Sequence, residues 1–71
     1  MIEITYKWDD QPGVSCVSYY VPRHKEQVRI DFPEAGINPP VSGYVSDIEW
    51  DHQGQLQRVT VTLAHVYEDR R

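Results

Sequence analysis

Hydrophobic and polar positions alternate along most of this chain, and proline and glycine break the alternation at a few places. Ile2, Ile4, Tyr6 and Trp8 take one phase while Glu3, Thr5 and Lys7 take the other, the period-2 signature of a half-buried strand. Asp9-Asp10-Gln11-Pro12-Gly13 follows. Proline pre-sets the second turn position and glycine tolerates the positive φ of the third, so a type II turn is predicted. Residues 14–21 are rich in β-branched and aromatic side chains and are expected to pair with the first strand as a hairpin. Pro22-Arg23-His24-Lys25-Glu26 reads as a polar connector holding at most one helical turn, with proline in its first position. Val28, Ile30 and Phe32 then alternate with Arg29 and Asp31 in a third short strand.

Residues 33–40 contain three prolines and a glycine, so the pattern predicts an irregular loop there, neither helix nor ladder. Residues 41–50 and 55–67 are expected to form a closing hairpin around Asp51-His52-Gln53-Gly54, with Gly54 supplying the positive φ of the turn. This hairpin carries an irregularity. Ile48 and Trp50 share one phase and Val45 the other; Leu56 takes one phase and Val59, Val61 and Leu63 the other. Pairing Trp50 with Leu56 sets Val45 opposite Val61, so both strands change phase at one level. Matched slips of this kind predict bulges or a sharp bend, which curls a sheet towards closure. The fold expected is all-β: five short strands in a strongly bent antiparallel sheet or small barrel, spanning 1–71 as one domain. No window holds apolar residues at helical spacing without a proline or glycine inside it.

Length changes the picture in one respect. A chain of 71 residues buries only about 60% of its unfolded surface, and such domains usually need a staple. The single cysteine, Cys16, excludes an internal disulfide, and His24, His52 and His65 are scattered without zinc-finger spacing. Association with a partner or with a second copy is the staple that remains. The N-terminal residues lack the basic and unbroken apolar stretches of a signal peptide, and no segment has the roughly 20 apolar residues of a membrane span. With one free thiol, this predicts a cytoplasmic protein. The net charge of −4 argues against a general polyanion binder, since phosphate contacts need clustered Lys and Arg.

Candidate chemistry is sparse. Asp47, Glu49 and Asp51 fall at i, i+2, i+4 and share one face of a strand, with His52 adjacent. They could make a cation site or an acid–base pair. Ligands strung along an extended strand do not converge, however, and a solvated face relieved by Arg58 on the facing strand is the simpler reading. His24 and His52 lie in polar connectors; His65, in phase with Val59, Val61 and Leu63, is expected to be partly buried and structural. Cys16 reads as a small hydrophobe, and Ser15 and Ser18 have no activating motif around them. No catalytic residue, metal ligand, cofactor or small-molecule substrate is therefore assigned. Trp8, Trp50, Tyr6 and Phe32 are expected to fill the core. Tyr19 and Tyr20 are adjacent on a strand and must face opposite sides, so at least one is expected to point outward. With Tyr44 and the loop residues Ile37, Pro39 and Pro40 they form the candidate partner surface.

Three runs carry a family likeness: Val21-Pro22-Arg23 with Glu26-Gln27-Val28-Arg29-Ile30, then residues 43–51 from Gly43 through Val45 and Ile48 to Trp50, then Val59-Thr60-Val61-Thr62-Leu63. Together they resemble the small SH3-like barrels common in bacteria, phages and plasmids, over about residues 21–63. The resemblance implies the barrel fold and such a setting, and it transfers no functional residue. The acidic, aromatic loop with which signalling SH3 domains hold proline ligands is missing, and the charge differs from that of basic ribosomal barrels.

The reading that follows is a non-enzymatic binding or assembly module acting through protein contacts, with a partner or as a homodimer. A single-stranded nucleic-acid or regulatory module ranks second, because Arg23, His24, Lys25 and Arg29 are the only local basic cluster. A small enzyme or metal-dependent factor ranks last.

Overall fold

The computed structural model describes residues 1–9, 11, 13–54 and 56–69. Five strands follow one another: β1 (Ile2–Lys7), β2 (Val14–Ser18), β3 (Gln27–Phe32), β4 (Ile37–Gln53) and β5 (Leu56–Glu68). They join one sheet in the order β2-β1-β5-β4-β3, curled into a half-barrel. The all-β, five-stranded, strongly bent sheet expected from the pattern is what the chain forms.

One pairing departs from expectation. β1 runs antiparallel to β2, with Ile4 opposite Cys16, but parallel to β5, with Ile4 opposite Val59 and Tyr6 opposite Val61. The sheet is therefore mixed. Period-2 alternation states which face a side chain takes and is silent on the direction of the neighbouring strand, so the parallel contact was not readable from it. Two inner rows cross four strands each: Val14, Tyr6, Val61 and Ile48 in one, Cys16, Ile4, Val59 and Trp50 in the other. Ile4, Val45, Val59 and Val61 are fully buried in the core, with Tyr6, Trp8, Ile30 and Leu63 around them.

The predicted phase slips exist, and the register locates them. On β4, Val45 pairs with Leu63 but Asp47 with Thr62, which leaves Ser46 as the extra residue. On β5, Ser42 pairs with Tyr67 but Tyr44 with Ala64, so the extra residue falls at His65–Val66, where His65 has φ +54°. The β4 slip lies where the pattern put it; the β5 slip lies at the opposite end from Leu56. Leu56 is exposed and faces Gln53 across the turn at Gly54 (φ +63°), and Trp50 faces Val59 rather than Leu56. The reason is a tighter turn than expected: Asp51, His52 and Gln53 stay in the ladder. After its bulge β5 turns Val66 inward and leaves His65 exposed, which corrects the expected partial burial of His65. The bulge also brings Val66 against the partner strand. A Cβ on Gly43 would stand 2.8 Å from Val66 Cγ2 and 3.2 Å from the Ala64 carbonyl, so only glycine fits there.

Two connections also differ. The segment 22–26 makes a turn, with the Glu26 N–H donating to the Arg23 carbonyl at 3.1 Å and Lys25 at φ +71°. The single helical turn is 3₁₀, at Pro33–Ala35, closed by Gly36 at φ +83°. Residues 37–40, expected as loop, open β4 despite Pro39 and Pro40; the Asn38–Pro39 bond is cis. Proline removes a donor but keeps its carbonyl, and here the Pro40 carbonyl accepts from the Asp69 N–H at 2.7 Å. The type II turn expected at 9–13 involves Asp10 and Pro12, which lie outside the described residues. Next to it, the Gln11 N–H donates to the Trp8 carbonyl at 3.1 Å.

Candidate functional site: an uncharged edge strand

The strand order leaves two outer strands, β2 and β3, and the sequence treats them differently. β3 places Arg29 and Asp31 outward and is followed directly by Pro33. Arg29 is tied down, with Nη1 3.4 Å from an Asp31 oxygen and Nε 3.0 Å from Asp69. Charges and proline are the ordinary means of keeping an edge from pairing with another chain. β2 has neither. Residues 11–22 hold no charged side chain, and the strand itself is Val-Ser-Cys-Val-Ser.

On its outer face β2 presents Ser15 and Val17, the latter 59% exposed. The Ser15 hydroxyl meets Thr5 Oγ1 at 2.9 Å, which ties it back to β1. Beyond the strand, Tyr19 is 85% and Tyr20 73% exposed, and the Tyr20 N–H donates to Ser18 Oγ at 3.3 Å. On the inner face Val14 is buried and Cys16 half-buried. Burial pushes the Cys16 thiol above its ordinary pKa, so it is a poorer nucleophile than a free thiol. Burial likewise raises Tyr6 beside it, helped by the proximity of Cys16, Tyr20 and Glu26. A hollow of about 280 Å³ takes its walls from Tyr6, Ser18, Tyr20 and Pro22 on one side and from Glu26 to Arg29 on the other. It draws on both outer strands of the half-barrel.

The six candidate contact residues are spread out. Tyr20 lines the hollow just described. Tyr44, partly exposed, lines a second of about 270 Å³ with His24, Lys25, Ser46 and His65. Ile37 and Pro39 line a third of about 280 Å³ beside Trp8 and Tyr67, and Ile37, Pro39 and Pro40 are half-buried, Ile37 against the core. Tyr19 and Tyr20 alone of the six adjoin the uncharged strand.

Trp50 corrects the expected core. It is 46% exposed and stacks on His52, ring centroids 5.8 Å apart. β3 accompanies β4 only as far as Tyr44, extended one step by the hydrogen bonds between Lys25, Val45 and Glu26. Past Ser46, whose carbonyl accepts from His24 Nε2 at 3.1 Å, no described strand flanks β4 on that side. Trp50 thus has a neighbour on β5 alone. Trp8 and Tyr6 are buried and Phe32 is half-buried, as expected. This free stretch of β4 is the one that carries Asp47, Glu49 and Asp51, which face Thr62, Thr60 and Arg58 across the ladder. Arg58 also reaches Glu3 at 3.7 Å. Among the described residues no three His, Cys, Asp or Glu stand close enough to hold a metal ion, and no helix is long and apolar enough to cross a membrane.

Edge status depends on strand order, so sequence reasoning located the exposed tyrosines and missed the strand before them. The absence of charge over residues 11–22 was the available signal. Compared with known proteins, the chain matches no family, no curated protein and no solved structure.

Proposed function

We propose that this chain is a small, non-enzymatic binding or assembly module that works through protein contacts, and that its contact is a strand added to the outer edge of β2. The observation that carries the reading is the contrast of edges: β2 is uncharged, rich in β-branched residues and followed by two exposed tyrosines. Strand addition draws its affinity from backbone hydrogen bonds and its selectivity from alternate side chains, here Ser15 and Val17 outside and Val14, Cys16 and Ser18 inside. Tyrosines at the end of the ladder supply contact area at little entropic cost. Cytoplasmic residence and kinship with the SH3-like barrels of bacteria, phages and plasmids belong to this proposal; the bent five-stranded sheet is compatible with both. Nucleic acid has less support, because Arg29 of the basic cluster is engaged by Asp31 and Asp69.

The test is capture of partners from the native host by the wild-type chain and by Val17→Lys, together with sedimentation of both across concentration. Val17 is exposed, so the lysine leaves the fold intact while placing a charge on the edge. Binding lost in the variant supports the reading. Binding that survives it, or a wild-type chain that is monomeric without any partner, counts against it.

A further inference from the structure

We propose that the strand added at β2 is the β2 of a second copy, antiparallel about a twofold axis through Cys16. The inference rests on the strand-addition reading above and names its partner.

A twofold at Cys16 sets Val14 opposite Ser18 of the second copy, Ser15 opposite Val17, and Cys16 opposite Cys16. All five residues of β2 then pair in the extended geometry they already have. Moving the axis to Val17 leaves only Cys16, Val17 and Ser18 paired within the strand. The remaining pairs would fall on Tyr19 and Tyr20, where the backbone bends and Tyr20 N–H is bonded to Ser18.

Charge separates β2 from the acidic stretch of β4 as a place for self-pairing. Each chain carries −4, so a twofold at the β4 stretch with Asp47, Glu49 and Asp51 would bring six carboxylates together. At β2 no charged residue meets its copy, and the nearest acid, Glu3 on β1, is already close to Arg58. Antiparallel side chains directly opposite one another lie about 4.5–5.5 Å apart, so Val17 gains Ser15 as a direct neighbour and the second Val17 on the diagonal. The two half-barrels become one continuous sheet of ten strands, and the uncharged edge of β2 in each is used up. The interface is isologous and closes at two copies.

Sedimentation velocity of the full chain under reducing conditions, from micromolar to millimolar, is expected to shift from 8.3 kDa towards twice that mass. Val17→Lys, and independently Ser15→Asp, should weaken the dimer at least tenfold while circular dichroism and melting of the dilute monomer stay unchanged. Mild copper-catalysed oxidation of the wild type should link the two Cys16 thiols, and Val17→Lys should suppress the link. A dimer that both variants leave intact, or whose thiols do not link, overturns pairing at β2. A monomeric wild type that still captures another protein in a Val17-dependent way overturns self-pairing and leaves strand addition standing. A monomer with no Val17-dependent partner removes both.

Discussion

The two outer strands of this half-barrel are nearly equal in length, and they answer the same problem in opposite ways. β3 is closed to further pairing by Arg29, Asp31 and Pro33, while β2 offers its backbone with no charge to deter a newcomer. Inward, the two are alike: β2 buries Val14 and β3 buries Ile30, so both are held by the core. The difference lies wholly on the outward side. It teaches that edge protection here is local, written into two side chains and a proline, and that the strand without it keeps an unguarded edge.

Substitutions can pull the inward and outward roles apart. The largest effect is expected for Ile30→Ala, which empties a fully enclosed site on β3 and should cost about 3 kcal/mol. Val17→Ala on β2 should stay within about 0.5 kcal/mol, because the side chain is exposed in the single chain. Urea unfolding at low micromolar concentration, where copies are apart, reads both. Equal losses would erase the contrast.

A second experiment removes the protection of β3. Replacing Arg29 and Asp31 together by threonine makes both edges uncharged, and a molecule with two open edges can build chains that do not close. Light scattering should then grow with time and concentration in the double variant and not in the wild type. Adding Val17→Lys should halt the growth at small species. A double variant that stays as dispersed as the wild type would show that charge is not what guards β3.

Alkaline titration separates the edges more gently. Tyr6 and Cys16, facing each other's strands at β1 and β2, both hold their protons more tightly in the fold, chiefly through burial. For groups whose folded pKa is raised, the stabilisation is full below the unfolded pKa and is lost as pH climbs through the folded one. Stability should be level through neutral pH and fall above about pH 9–10, where free thiols and phenols begin to ionise. Tyr6→Phe should flatten the upper part of that fall, measured by melting temperature against pH. A small effect is expected for Arg29→Ala, which removes two partly exposed ion pairs. It should cost no more than about 1 kcal/mol, and less at high salt.

Much of this fold was legible from alternation. Ile2 to Trp8, Val14 to Ser18 and Val28 to Phe32 take the faces their phase assigns, and the slip between Val45 and Ile48 is a real bulge at Ser46. What stayed hidden depends on neighbours rather than on phase. Trp50 lies on the inner face as its phase requires, yet remains exposed because β3 stops short of it. Pro39 and Pro40 sit in a strand because that stretch uses a carbonyl and does not need their missing N–H groups. The candidate site divides in the same way. Tyr19 and Tyr20 were expected on a strand running to residue 21, but β2 ends at Ser18 and both stand exposed in the bend that follows, whereas the open edge of β2 exists only once β1 has taken its place beside β5.

That placement has a consequence for how the protein comes into being. Ile4 and Tyr6 meet Val59 and Val61, far along the chain, so the central contact waits until β5 has been synthesised. The β1–β2 hairpin emerges first, with both of its edges bare, and contacts this distant in sequence form slowly. Until β5 arrives, the hairpin has the apolar face of β1 open as well as the uncharged edge of β2. Of the five strands, the first in order is seated only by the fifth.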